Sequence, residues 1–309
     1  MANFTAKDVA ALRASSGAGM MDCKKALTHT DGDMDKAAEY LREQGISVAA
    51  KKASRIASEG AVVAYTAPNG KIGALVEINC ESDFVARNEA FVEIATSIAK
   101  QVAEINPANN EELLASKIGD STVEEIITAA TAKIGEKISF RRFVRQEGCK
   151  EEAYIHMGGK IGVLLEMETD KDVNDNEQFN IMCHDVAMHI AAFAPQYVYN
   201  DEVPAEATEH EKEILRAQLA NDPKNAKKPQ EILDKMIVGR LGKFYKEVCV
   251  IDQEFAKDAS ITIRQLVEKT GKEIGATIAI KKFTRFVMGE GLEKKNENFA
   301  EEIAKMQTK

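Results

Sequence analysis

The run Gly70-Lys71-Ile72-Gly73-Ala74-Leu75-Val76-Glu77 is written again 89 positions later as Gly159-Lys160-Ile161-Gly162-Val163-Leu164-Leu165-Glu166. A near-copy at a fixed distance marks a duplicated structural unit, since equal local sequences obey equal local rules. In both copies the alternate apolar residues keep the same phase, and a period of two specifies strands with a defined inner face. Two further pieces repeat. Asn88-Glu89 with Phe91 is echoed by Asn176-Glu177 with Phe179, each opening a helix, and Gly135-Glu136-Lys137-Ile138 to Phe143 matches Gly275-Ala276-Thr277-Ile278 to Phe283, 140 positions on. The chain therefore contains two copies of one α+β unit.

Within the first copy, Val62 and Ala64 lead into Pro68-Asn69-Gly70, a hairpin turn, after which Ile72, Ala74, Val76 and Ile78 alternate. Phe91 to Val102 has the pattern of an amphipathic helix, 111–134 reads as further helix, and Ile138 to Val144 as a returning strand. The second copy is longer by 51 residues between its matching glycines. That insertion, at about 200–245, reads as a helical hairpin: Ile214, Leu215 and Leu219 lie on the outgoing helix, and Asn221-Asp222-Pro223 through Pro229 makes the break. Ile232, Leu233, Met236, Ile237, Leu241 and Phe244 form a stripe on the return. Two antiparallel helices standing off a sheet cannot bury both faces alone, which suggests an interaction arm.

Residues 1–54 read as a helical module. Thr5 followed by Asp8 is a variant capping box that starts a helix with Val9 and Leu12 on one face, and Gly17-Ala18-Gly19 stops it. A second helix is expected from Asp22. Asp31-Gly32-Asp33 is a turn, and Met34, Ala37, Ala38 and Leu41 then recur at helical spacing until Gly45 closes the third helix. Three short helices in that length resemble a ubiquitin-associated-type bundle. The expected division is thus 1–54 for this module, 55–146 for the first core copy, 147–285 for the second with its inserted hairpin, and 286–309 for a C-terminal module with a helix around Phe299 to Met306.

Several chemistries find no support. The 41 basic and 50 acidic residues leave a net charge of -9, which argues against a broad footprint on nucleic-acid phosphates. Lys51, Lys52 and Arg55 read as a solvated face. The five cysteines, Cys23, Cys80, Cys149, Cys183 and Cys249, are odd in number and widely spaced, so neither a disulfide framework nor a metal ribbon can be drawn. No secretory leader opens the chain and no apolar run approaches the roughly 18 residues of a membrane span, so a soluble cytoplasmic protein is expected. The glycines never assemble into a phosphate loop. His184 and His189 stand five apart on a helix, where zinc on one face wants i and i+4, and read as core or surface residues. No nucleophile elbow appears, and Glu124 and Glu125 read as water-facing. No catalytic residue, metal or cofactor is expected.

What stands out is apolar. Met20 and Met21 follow Gly19 in a connector, and Glu81-Ser82-Asp83-Phe84-Val85-Ala86 puts an aromatic just past a strand. Either feature could be plain core. The polar flanks Asp83 and Arg87 would pull Phe84 outward.

These residues also carry a resemblance. Thr5 to Leu27, with Gly17-Ala18-Gly19-Met20-Met21-Asp22-Cys23-Lys24-Lys25-Ala26-Leu27, is similar to the opening of bacterial translation elongation factor Ts, and Asp83-Phe84-Val85-Ala86 within Cys80 to Arg87 looks like its signature. The likeness extends to the duplicated core, the arm and the closing Gly289-Glu290-Gly291-Leu292-Glu293-Lys294. It implies a non-enzymatic guanine-nucleotide exchange factor whose partner is elongation factor Tu. By that likeness Asp83, Phe84 and Val85 would dislocate the partner's Mg²⁺, Leu12, Met20, Met21 and Lys24 of the helical module would grip its nucleotide domain, and Ile134, Gly135 and His156 would add core contacts. No direct contact with nucleic acid or membrane is implied, and the arm could pair with its twin. The chain departs from the family after Phe255, where Ala256 and Lys257 replace a larger apolar pair, and at Glu81-Ser82, where a Thr often precedes the aspartate. The alternative is a general adaptor, with the bundle and arm binding other helices and the core as scaffold.

Overall fold

The computed structural model describes residues 3–16, 18–222, 225 and 228–293. The C-terminal helix expected around Phe299 to Met306, and Gly17 and Pro223 of the expected breaks, lie outside the described residues.

Helix α1 (Ala6–Ser16) opens as its sequence requires: the Thr5 N–H donates to Asp8 Oδ2 at 2.7 Å and the Asp8 N–H to Thr5 Oγ1 at 3.4 Å. Helices α2 (Met20–His29) and α3 (Met34–Lys52) complete the module around Val9, Leu12, Cys23, Ala26, Leu27 and Ala37. Two expectations change here. Helix α2 begins at Met20 rather than Asp22, and Gly45 does not close α3, which runs a further seven residues to Lys52. A glycine inside a helix costs only about 1 kcal/mol. Gly45 faces Ala132 of the first core copy: a Cβ built on it would lie 3.6 Å from Ala132 Cβ, an ordinary contact distance. The module is thus seated on the first core copy, where Arg42 also pairs with Glu125.

That copy folds as β1 (Glu59–Thr66), β2 (Ile72–Cys80), α4 (Asp83–Ala86), α5 (Glu89–Ile105), α6 (Asn110–Ala115), the short ladder β3 (Lys117–Ile118) and β4 (Ser121–Thr122), α7 (Val123–Ile134) and β5 (Ser139–Glu147). The stretch 111–134 is therefore not continuous helix. Gly119, at φ +65°, turns the chain, and Thr122 starts α7 with a capping box to Glu125. The second copy repeats the plan with β6 (Lys150–His156), β7 (Ile161–Thr169), α8 (Glu177–Phe193), β8 (Glu254–Phe255), β9 (Asp258–Thr262), α11 (Ile263–Ile274) and β10 (Ile278–Val287). Its Thr262 forms the same capping box with Gln265, and Gly135 and Gly275 both close their helices at positive φ, +85° and +67°. Between α8 and β8 stand α9 (Ala205–Ala220) and α10 (Gln230–Val248), the expected hairpin, zipped by Leu215, Leu219 and Ile237.

Each copy contributes a three-stranded antiparallel sheet, β1-β2-β5 and β6-β7-β10. One face of each carries its own helices over Val76, Ile78, Phe91 and Ile98, or over Leu165, Met167, Phe179 and Ile190. The other faces meet through Val62, Leu75, Leu164 and Phe286. This explains why β2 is buried on both sides and reads as a nearly unbroken apolar run. The contact is reciprocal: a Cβ on Gly73 would lie 2.5 Å from Leu164 Cδ1, and one on Gly162 would lie 2.4 Å from Val62 Cγ1 and 3.3 Å from Leu75 Cδ2. The molecule is α+β with antiparallel sheets. Among the described residues, no helix is long and apolar enough to cross a membrane.

Candidate functional site

Strand β2 ends at Cys80, and two residues later Ser82 caps α4 by accepting from the Val85 N–H at 3.4 Å. Inside this single turn Ala86 is buried and Val85 packs on the first core, which leaves the intervening Phe84 on the outer side, 83% exposed. The ambiguity between core and surface is thereby resolved. Asp83 holds Arg87 at 3.2 Å across the turn. Leaving that ring in water forgoes about 1.5–3 kcal/mol of burial, so it stands ready to be covered by something else.

The platform beneath it is built from two loops. Glu136, in the connection from α7 to β5, takes hydrogen bonds from the Ser82 N–H at 2.9 Å and the Ser82 hydroxyl at 2.6 Å. Glu81 returns the contact, accepting the Lys137 N–H at 2.6 Å, and its carboxylate also lies 3.3 Å from Arg55. Lys137 Nζ in turn donates to Arg55 O at 2.9 Å. Glu81-Ser82 thus becomes a clasp. It brings Asp83, Phe84 and Val85 beside Ile134 and Gly135. Ile134 is half-buried against the core that Val85 also touches, whereas Gly135 is exposed, its carbonyl accepting from Lys52 Nζ.

His156 arrives from the second copy. It is half-buried at the end of β6, with Nδ1 3.0 Å from the Tyr154 hydroxyl. The turn after it is tied to β1, since the Val62 N–H donates to Gly159 O at 2.8 Å and Lys160 pairs with Glu59 at 2.7 Å. Glu59 is the register partner of Cys80. His156 therefore lies at the sheet end from which Phe84 projects. Its neighbour Met157, which sequence reasoning missed, is 71% exposed at φ +51°. The signal was present in Met157-Gly158-Gly159, a glycine-rich turn, since connecting segments run over the surface and expose apolar residues as readily as polar ones.

In the helical module, Met20 and Met21 are 46% and 62% exposed at the start of α2, with Lys24 exposed one turn on. Leu12 requires a correction. It is 1% exposed and sealed in the module's own core, so it supports α2 from beneath and offers no surface. The same periodicity describes a core residue and a contact residue, and here the core won.

Elsewhere Cys23, Cys80, Cys183 and Cys249 are buried and Cys149 is exposed. Burial pushes the Cys80 thiol up to about 12 and the Cys249 thiol up to about 11, far from a thiolate nucleophile. His189 is buried, stacked on Phe193 and 2.9 Å from Gln253 Oε1, and desolvation lowers its basicity. His184 lies 3.2 Å from Glu152 on another side of the helix. Beyond Phe255 the Ala256 N–H donates to His189 Nδ1 at 3.3 Å, and Lys257 reaches Asp185 at 2.6 Å. The pair that departs from the resembled pattern is thus engaged with α8. Among the described residues, no three His, Cys, Asp or Glu side chains gather as a metal ion would need.

A family model described as elongation factor TS matches residues 81–290. A curated protein named elongation factor Ts from Clostridium perfringens is 51% identical over 306 residues, covering 98% of this chain and 99% of the relative. The chain belongs to the elongation factor Ts family. Relatives with the same name from Symbiobacterium thermophilum and Trichlorobacter lovleyi are 47% and 46% identical, each over 307 residues and at least 97% of both chains. The elongation factor Ts match begins at Glu81, the clasp residue, and takes in Phe84, Ile134, Gly135 and His156. The helical module with Met20 and Met21 falls within the full-length likeness.

Proposed function

We propose that the chain is a guanine-nucleotide exchange factor of translation elongation: it binds elongation factor Tu carrying GDP, disturbs its Mg²⁺ and phosphate site, and so promotes GDP release and GTP entry. The observation that carries this reading is Phe84, almost wholly exposed on a rigid turn in a member of the elongation factor Ts family. No covalent step is required and no residue acts as a catalyst in the chemical sense. A protein that binds the nucleotide-free partner more tightly than the GDP form must, by linkage, weaken GDP by the same factor.

Phe84, with Asp83 and Val85, enters between helices of the partner that hold Mg²⁺. That ion demands near-ideal octahedral geometry and tolerates small displacements poorly. Burying one Phe is worth about 1.5–3 kcal/mol, or roughly one to two decades of affinity, so further contacts are needed. Met20, Met21 and Lys24 on the ubiquitin-associated-like module grip the nucleotide domain, methionine suiting an irregular groove. Ile134, Gly135 and His156 flank the wedge, and Met157 extends the same apolar surface. The arm at about 200–245, with Ile232 and Val238 exposed, is a further contact surface for the partner or for a second copy. The division at 54, 146 and 285 and a cytoplasmic location belong to this reading.

The test is release of fluorescent GDP from loaded elongation factor Tu. Substoichiometric acceleration supports exchange. Stoichiometric binding with no faster release would make the chain an adaptor instead.

A further inference from the structure

Glu81 and Glu136 clasp each other's loops, and the duplication supplies an internal control for what each half does. In the second copy Asp170 stands 89 positions after Glu81, and Thr277 stands 140 after Lys137. The Thr277 N–H donates to Asp170 Oδ1 at 2.9 Å, as the Lys137 N–H donates to Glu81 at 2.6 Å. That half of the clasp therefore belongs to the fold of the unit. The other half is absent from the second copy, because Ala276 takes the place of Glu136 and Lys171 that of Ser82. The second copy also lacks the projecting aromatic: the loop there carries Val173, half-buried against its own core. The additional bonds occur only where the exposed ring occurs.

Their geometry bears on that ring directly. The Ser82 hydroxyl donates to Glu136 Oε1 at 2.6 Å and accepts from the Val85 N–H at 3.4 Å. Phe84 sits between these two anchors. A four-residue turn does not hold itself in water, since an isolated helical nucleus is unfavourable. A hydroxyl bonded to a carboxylate, with the adjacent N–H on the same carboxylate, fixes the turn through charge-assisted hydrogen bonds. Glu136 adjoins the exposed Gly135, so the same residue ties the ring to the loop beside it.

We infer that Glu136, acting through Ser82, is a positioning residue for Phe84: it holds the ring in its projecting orientation, so that once the complex has formed the ring is aimed at the ion-holding helices. This rests on the exchange reading above. A preorganised wedge is expected to act on the release step within the complex, because a displaced ring can still be swept into contact yet fails to reach the ion-holding helices.

The experiment measures GDP release from loaded elongation factor Tu over a range of concentrations of full-length wild type, Glu136→Ala, Ser82→Ala and Ser82→Thr, with melting temperatures of each. Glu136→Ala and Ser82→Ala should each lower the maximal release rate about five- to tenfold, with the half-saturating concentration changed less than about twofold. The double variant should lose less than the product of the two single losses, since both variants break the Ser82 hydroxyl bond to Glu136. Ser82→Thr keeps the hydroxyl and should release GDP near the wild-type rate. If Glu136→Ala folds poorly, the Ser82 pair decides alone. Maximal rates that match wild type, or losses that Ser82→Thr shares with Ser82→Ala, would overturn the inference while wild-type activity stands. A wild-type protein that does not accelerate release would overturn the exchange reading itself.

Discussion

Glu77 and Glu166 occupy the same position in the two copies, 89 residues apart, and meet opposite surroundings. Glu77 is fully buried with both oxygens engaged, by Arg141 at 2.8 Å, Arg142 at 2.6 Å and the Gly289 N–H at 2.8 Å. Burial works to raise its pKa, but these donors outweigh burial and hold it below the ordinary carboxylate value. Glu166 has Lys282 at 3.1 Å and, directly across the strand pair, a second acid, Glu151. The counterpart of Glu151 in the first copy is Val62, so one copy places an ionisable group where the other keeps a methyl surface.

That exchange of Val for Glu gives a pH prediction. Glu151 is buried with neither oxygen hydrogen-bonded; burial first, and the facing Glu166 second, push it up to about 8 against the pull of Lys282 and Arg145. Between its ordinary value of 4.5 and about 8, the folded protein holds a proton that the unfolded chain has released. Stability from this site therefore falls as pH rises through the window, at up to about 1.4 kcal/mol per pH unit. Glu151→Gln keeps the shape without the charge. Its melting temperature should exceed that of wild type near pH 8 and match it near pH 5, about the limits set by the two pKa values. His189, whose burial lowers its pKa, adds a slope of opposite sign to both proteins, so the difference between them isolates Glu151. Parallel curves would show that Glu151 does not carry this proton.

The reciprocal glycines give a second. Gly73→Ala places a methyl 2.5 Å from Leu164 Cδ1 at the seam between the sheets, and such overpacking costs about 1–3 kcal/mol. Gly239→Ala, inside α10 with open space around it, should instead stabilise by roughly 0.5–1 kcal/mol. Urea unfolding of both variants checks the pair, and a neutral Gly73→Ala would mean that the two copies are not closely packed there.

A third separates residues that share one helical pattern. Leu12→Ala empties a core position and should cost about 2–5 kcal/mol, with partner affinity following stability. Met20→Ala with Met21→Ala removes exposed side chains, so the melting temperature should hold while affinity for elongation factor Tu, measured by calorimetry, falls about tenfold or more. Unchanged affinity in the Met variant would remove the helical module from the interface.

Much of this architecture was legible because duplication writes its own alignment. The repeated strands, the Asn88 and Asn176 caps and the glycines that end α7 and α11 all follow from short-range rules applied twice. What stayed hidden depends on contacts distant in sequence. Gly45 reads as a stop until Ala132 is seen against it, and the 111–134 stretch reads as one helix until Gly119 and the Thr122 cap divide it. At the candidate site the flanks Asp83 and Arg87 signalled the exposure of Phe84. The clasp beneath joins residues more than fifty positions apart, and Met157 is exposed by turn geometry rather than by polarity.

The most direct measurement is stopped-flow release of fluorescent GDP from elongation factor Tu at saturating concentrations of wild type and Phe84→Ala, alongside their melting temperatures. Because Phe84 is 83% exposed and packs little on its own chain, the two proteins should melt within a degree or two of each other, about the effect of a few tenths of a kcal/mol. The variant should release GDP about ten- to a hundredfold more slowly. Equal release rates, or a slow variant that has also lost most of its stability, would contradict the role given to the projecting ring.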